Sequence, residues 1–138
     1  MKSANPIKED LFYTADHEWI QFRQTVAYTG ICAFKLTGFR EVHEIIFNEL
    51  SGEKKQGDII ATIRYNEYRV EAHMPVDGKI LQLNDALLSG DYRILLQEPE
   101  SNGWIAEIIP STPCEKKDLL LPARYRGAGK KNMPVNNI

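Results

Sequence analysis

Alternation of apolar and polar residues is clearest in the middle of the chain, over residues 62–83. Two runs rich in β-branched and aromatic residues lie on either side of Asn66-Glu67, and such residues are enriched in strands. Pro75-Val76-Asp77-Gly78 interrupts the pattern before residues 79–83 alternate again. Since asparagine tolerates a positive φ, the pattern predicts a β-hairpin with an exposed tip at Asn66-Glu67, then a corner and a third strand.

Further strands are predicted before and after this hairpin, at residues 17–22, 25–31, 41–50 and 104–110. Trp19 and Trp104 are expected to bury their rings in the core. Short helices are predicted at residues 32–40, broken near Gly38, and after the capping residue Asn84. Thr112-Pro113 has capping-box spacing with Glu115, which predicts a helix from Cys114 to Leu121 that Pro122 ends.

The composition is typical of one globular domain, with 138 residues and a net charge of −2. No apolar run is long enough to cross a membrane and no signal-type segment follows the N-terminus, so we expect a cytoplasmic protein with no membrane partner. The last 27 residues hold six basic and two acidic side chains, against 11 and 17 before them. This basic tail lacks interleaved aromatic residues, which favours a solvated, partly disordered end over a nucleic-acid-binding one.

Cysteine and histidine spacing excludes several kinds of site. Cys32 and Cys114 lie too far apart to form a disulfide framework or a metal motif, and we expect both to be reduced. The histidines His17, His43 and His73 are scattered, so no metal site is expected. Because neighbouring strand residues point to opposite faces, His17 beside Glu18 is interpreted as structural rather than as an acid-base pair.

Several motifs resemble the glycine cleavage H-protein family. Residues 13–19, Tyr-Thr-Ala-Asp-His-Glu-Trp, are similar to that family's opening signature, and residues 45–50 resemble its Ile-Val-Phe-Val-Glu-Leu. The hairpin followed by Pro-Val-Asp-Gly resembles the modification hairpin of lipoyl and biotinyl carriers. Asn84, Pro99 and Gly103-Trp104 follow in the family's order, so the resemblance runs from about Tyr13 to Ile109.

The resemblance implies an all-β fold with short peripheral helices, the barrel-sandwich hybrid of lipoyl and biotinyl carriers. The predicted organisation is an N-terminal extension (residues 1–10), the barrel-sandwich domain (11–111), a short C-terminal helix (112–122) and a basic tail (123–138).

One position departs from the family. The resemblance implies a lipoyl-bearing lysine eight residues before the proline, and that position holds Glu67. Lipoate is attached through an amide formed by a lysine amine, and a carboxylate has no N–H with which to form it. No bound cofactor is therefore expected at Glu67. Lys54, Lys55 and Lys79 lie away from a hairpin tip, and we expect none of them to replace the missing lysine.

Two functions remain after this comparison. For the family, the resemblance implies a non-catalytic shuttle that carries an aminomethyl group on its lipoyl arm between the glycine cleavage enzymes. Without the lysine, we expect a protein-binding or regulatory module whose partners are proteins, such as glycine cleavage or lipoate-handling enzymes. The alternative is a working lipoyl carrier modified at an unexpected lysine.

Neither function needs catalysis by the chain itself. The sequence has no glycine-rich phosphate loop and no nucleophile-base pair, and Glu67 and Glu71 lack a partner acid, so we expect no enzyme activity. The hairpin tip is the predicted partner contact because tyrosine and arginine are common binding anchors. Its members are Arg64, Tyr65, Glu67, Tyr68 and Arg69. A simpler interpretation is that the two tyrosines only make cross-strand pairs.

Overall fold

The structure, a computed structural model, describes residues 10–48 and 51–131. Most of the predicted N-terminal extension therefore lies outside the described residues. The strands are β1 (Leu11–Tyr13), β2 (Glu18–Arg23), β3 (Val26–Ile31), β4 (Glu44–Phe47), β5 (Glu53–Lys54), β6 (Ile59–Tyr65), β7 (Tyr68–His73), β8 (Gly78–Leu83) and β9 (Ala106–Pro110). The helices are a 3₁₀ helix (Ala33–Leu36), α1 (Asp85–Leu88), α2 (Arg93–Gln97) and α3 (Pro122–Lys131).

The strands form two antiparallel sheets. The larger has the order β1-β2-β3-β9-β8-β5, and the smaller has the order β4-β6-β7. The two sheets enclose the main core but do not close into one barrel. The predicted fold class, all-β with short peripheral helices, is confirmed.

Apolar side chains from both sheets fill the main core. Ile20 and Ile31 from the larger sheet and Ile63 from the smaller one are fully buried there, and Leu95 of α2 closes one end. Trp19 points to the other side of β2 and is buried in a second, smaller cluster with Tyr13 and Cys32. The burial of Trp19 is therefore confirmed, while Trp104 is half-buried and packs against that second cluster.

The predicted hairpin, corner and third strand are confirmed as β6, β7 and β8. Tyr65 pairs with Tyr68, which leaves Asn66-Glu67 as a two-residue loop. At the corner, a Cβ on Gly78 would lie 2.5 Å from the carbonyl oxygen of Ile109. Only glycine fits this approach of two backbones, which explains why the break before β8 ends in glycine.

The predicted helices before β4 and after β8 are also present. The 3₁₀ helix ends before Gly38, whose φ of +95° favours glycine. At α1, the side chain of Asn84 accepts a hydrogen bond from the backbone of Ala86 at 3.0 Å, which satisfies one unpaired N–H group. No helix among residues 10–48 and 51–131 is long and apolar enough to cross a membrane.

The C-terminal helix lies later in the chain than predicted. Residues 114–121 are not helical, and the prediction of a helix from Cys114 to Leu121 is wrong. Leu120 instead pairs with Tyr13 of β1 through two backbone hydrogen bonds, of 2.8 and 2.7 Å. Pro122 begins α3 rather than ending a helix, because proline at the first helical position has no N–H to leave unpaired.

This helix also includes the first part of the basic tail. The tail is predicted to be solvated and partly disordered; its residues up to Lys131 are helical, and residues 132–138 lie outside the described residues. Tyr125 of α3 stacks on Tyr13 with ring centroids 4.3 Å apart and an interplanar angle of 4°. The stacking holds α3 against the second cluster.

Two neighbouring leucines on α1 test the packing of the main core. Leu87 is 1% exposed and Leu88 is 55% exposed, so the same truncation removes core contacts at one position only. Leu87→Ala is expected to lower the free energy of unfolding by about 2–5 kcal/mol, and Leu88→Ala by less than about 0.5 kcal/mol. Urea denaturation of both variants measures the difference. Equal losses would contradict the burial of Leu87.

Candidate functional site

The hairpin tip is the first candidate site. Asn66 has a φ of +53°, a left-handed conformation that lets the chain reverse between Tyr65 and Tyr68 in two residues. The side chain of Glu67 is exposed at this bend. The structure therefore places Glu67 where the sequence predicted it, at the end of two paired strands.

Aromatic side chains support the tip. Tyr65 and Tyr68 stack across the hairpin with centroids 6.1 Å apart, and the ring of Phe39 lies 6.1 and 5.8 Å from them. The two interpretations of the tyrosines are therefore compatible: they form a cross-strand pair, and Tyr68 is still 52% exposed. The tip is therefore an aromatic platform with one exposed ring.

His43 adds a polar contact to the same platform. Its ring lies 5.0 Å from that of Tyr65, and its Nδ1 accepts a hydrogen bond of 3.4 Å from the backbone N–H of Asn66. Because Nδ1 accepts, the ring proton is on Nε2, which donates to Glu41 at 3.0 Å. The segment before β4 thus fixes the conformation of the bend.

Two arginines lie beside the tip on the outer face of the smaller sheet. Arg64 and Arg69 are directly opposite each other on β6 and β7, an arrangement of like charges that is unfavourable by itself. Each has a carboxylate nearby, Glu44 at 3.7 Å from Arg64 and Glu71 at 3.6 Å from Arg69. All five residues of the predicted contact therefore lie at one end of this hairpin.

The second candidate site is a cluster of charged side chains that the sequence did not predict. Glu18 of β2 is 2% exposed, and its carboxylate accepts hydrogen bonds from Lys35 Nζ at 2.9 Å and from the backbone N–H of His73 at 2.8 Å. His73 Nδ1 lies 2.7 Å from the same carboxylate and 2.9 Å from that of Asp16. Since both partners are carboxylates, Nδ1 carries the proton and donates.

This charge cluster is formed by Asp16, Glu18, Lys35 and His73, and all of its members except Lys35 line an open cleft of about 340 Å³. Burial tends to raise the pKa of Asp16, but the Lys35 ammonium, 2.7 Å away, and His73 lower it below its ordinary value of 3.8. Asp16, Glu18 and His73 also bring three potential metal ligands within 4.8 Å of one another. The Lys35 ammonium already contacts both carboxylates, at 2.7 and 2.9 Å.

Comparison with known proteins identifies the fold and the family. A model of the family described as "Glycine cleavage H-protein" matches residues 11–132. A glycine cleavage system H protein of Clostridium botulinum is 33% identical over 124 residues, covering 86% of this chain and 90% of that protein. That of Salinibacter ruber is 34% identical over 116 residues, covering 81% and 90%. The chain belongs to the glycine cleavage H-protein family.

A solved structure agrees with this assignment at the level of the fold. The crystal structure of a glycine cleavage system H protein from Mycobacterium marinum superposes with a TM-score of 0.73 and 22% identity, covering 89% of this chain and 98% of that one. The resemblance drawn from residues 13–109 is therefore confirmed, and the matched region continues into α3.

The chemistry of the hairpin tip decides whether this H-family chain can hold an amide-linked group there. The residue presented there, Glu67, offers two carboxylate oxygens and no amine, so its side chain does not fit an amide-linked lipoyl group. Lys54 and Lys79 lie on β5 and β8, and Lys55 follows β5. Lys79 forms an ion pair of 3.9 Å with Glu53. None of these three lysines lies at the tip.

His17 contacts the C-terminal helix and not the charge cluster. It lies in the turn before β2 with a φ of +65°, and its Nδ1 is 2.8 Å from the hydroxyl of Tyr125. The interpretation of His17 as structural agrees with this position. The sequence did not reveal the cluster because its members come from three separate segments, residues 16–18, Lys35 and His73, which only the packing of the two sheets brings together.

The charge cluster is tested by removing its ammonium group. Lys35→Met leaves the buried Glu18 carboxylate without its ion pair and is expected to lower the free energy of unfolding by roughly 3 kcal/mol or more at neutral pH. The matched control is Lys79→Met, which breaks an exposed pair and should cost less than about 1 kcal/mol. Urea denaturation measures both. A loss no larger for Lys35→Met than for the control would show that Glu18 does not depend on Lys35.

Proposed function

We propose that this H-family chain is a protein-binding or regulatory module that carries no lipoyl arm. The single observation that carries the proposal is Glu67 at the hairpin tip, because a carboxylate cannot form the amide that attaches lipoate. The protein is then neither a carrier nor an enzyme, and its surface is what it contributes. Its partners are proteins, with the other glycine cleavage enzymes and lipoate-handling enzymes as the first candidates.

The support given to the tip favours a docking role. Tyr65 and Tyr68 stack on each other and pack against the tilted ring of Phe39 to form an aromatic platform, and His43 contacts the bend. A rigid surface loses little conformational entropy when a partner binds. Tyrosine and arginine, both present at this tip, are the residue types most often found at the centre of interfaces.

A working carrier modified at another lysine is the second candidate function. Rigid presentation argues against it, because Lys54 and Lys79 project from strands of the larger sheet and not from a bend. A ligase that recognises its target lysine at a preorganised tip would not meet that geometry at either position.

Intact mass separates the two functions. The chain purified from its native host is expected to have the mass of the unmodified polypeptide. Glu67→Lys, produced together with a lipoate ligase and lipoate, is expected to gain the mass of one lipoyl group because the tip already has the required bend. The control Glu53→Lys places a new lysine on a strand of the larger sheet and should gain nothing. A lipoyl group on the native chain would refute the proposal.

A second experiment tests the docking surface. Proteins that bind the native chain are captured from the host, and their affinities are then measured for the double variant Tyr65→Ala/Tyr68→Ala. Loss of the platform is expected to weaken binding by more than about tenfold, since interface anchors of this type contribute roughly 2 kcal/mol or more. Leu81→Ala, which truncates an exposed apolar residue of the larger sheet, should leave affinities unchanged. Equal affinities for both variants would exclude the tip as the contact.

A further inference from the structure

The outer edge of β7 is an unpaired sheet edge. The smaller sheet has the order β4-β6-β7, so among residues 10–48 and 51–131 no strand pairs with the far side of β7. Unpaired edges present backbone N–H and C=O groups that can pair with another strand, and proteins commonly protect them. β7 is six residues long and contains no proline or lysine, and the N–H of its last residue, His73, is bonded to Glu18.

The register fixes which backbone groups point outwards. The N–H of His43 donates to the carbonyl of Arg64 at 2.8 Å, so the backbone of Arg64 faces β4 and not β7. Arg64 and Arg69 are therefore a non-hydrogen-bonded pair. The backbone N–H and C=O of Arg69 point away from β6, towards the outer edge. Because outward residues alternate, Glu71 does the same. At the next outward position, the N–H of His73 is satisfied by Glu18.

This arrangement is complementary to itself. If two β7 strands meet antiparallel about a two-fold axis at Val70, Arg69 of each lies opposite Glu71 of the other. Both residues have outward backbone groups, so these are hydrogen-bonded pairs with four new N–H to C=O bonds in all. The side chains of Arg69 and Glu71 lie near each other, 3.6 Å apart, and in the pair each arginine meets the opposite carboxylate.

The charges across the smaller sheet favour the same register. Across the smaller sheet, Arg64 lies between Glu44 on β4 and Arg69 on β7. In this cross-strand row a carboxylate flanks the two arginines on the β4 side only. In the paired arrangement, Glu71 of the second copy would extend this row on the other side. The row then reads Glu44, Arg64, Arg69, Glu71, with a carboxylate at each end.

We propose that the chain self-associates through β7, joining two three-stranded sheets into one continuous six-stranded sheet about a two-fold axis at Val70. The occupant of the edge is a second copy of this chain. The inference is independent of the proposed absence of a lipoyl arm, although it shares Arg69 and Tyr68 with the docking surface.

Charge reversal tests the register. Sedimentation velocity of the full chain from about 10 µM to about 1 mM is expected to show the mass of two chains at the upper end. Arg69→Glu or Glu71→Arg alone converts both symmetric pairs into like charges and should weaken association by about tenfold or more. The double variant Arg69→Glu/Glu71→Arg restores both pairs and should recover the affinity of the native chain. Lys79→Glu, at an exposed pair of the larger sheet, is the matched control and should have no effect.

Amide hydrogen exchange gives a second measurement. The N–H groups of Arg69 and Glu71 should become protected as the concentration rises, whereas that of Val70, already bonded to β6, should not change. A single-chain mass at every concentration would overturn the proposal. Association that is unaffected by the single reversals, or not recovered by the double variant, would overturn it equally.

Discussion

One buried carboxylate connects the two sheets. Glu18 lies on β2 of the larger sheet and accepts two hydrogen bonds from His73 of β7, one from its backbone and one from its ring. A carboxylate removed from water is unfavourable unless it is paired and hydrogen-bonded, and Lys35 supplies the opposite charge. This contact therefore fixes how the smaller sheet packs on the larger one. The direction in which the hairpin tip projects follows from that packing.

The hairpin tip presents a carboxylate at an exposed bend. Its bend and its supporting rings hold residue 67 in an exposed position, as a carrier would need, but the side chain there is a carboxylate. Rigidity at an exposed position is useful for any function in which another protein has to recognise the bend. The aromatic support and the exposed carboxylate are the two observations on which the proposed binding role rests.

The sequence predicted the parts of the fold that depend on local patterns. Alternation located the hairpin around Asn66, and side-chain chemistry located the cap at Asn84. The prediction from sequence failed where long-range contacts determine the local structure. Capping-box spacing at Thr112 predicted a helix, but the following residues use their backbone to pair with Tyr13, a partner about a hundred positions away. The charge cluster was missed for the same reason, since no local pattern relates Asp16 to His73.

The contact between β1 and the last helix has a consequence for synthesis on the ribosome. Tyr13 is synthesised well before its backbone partner, Leu120, and its stacking partner, Tyr125. Chains emerge from the N-terminus at about 5–20 residues per second, so β1 waits several seconds for the residues that cover it. Until Leu120 and Tyr125 have emerged, the second cluster cannot close over β1 during synthesis.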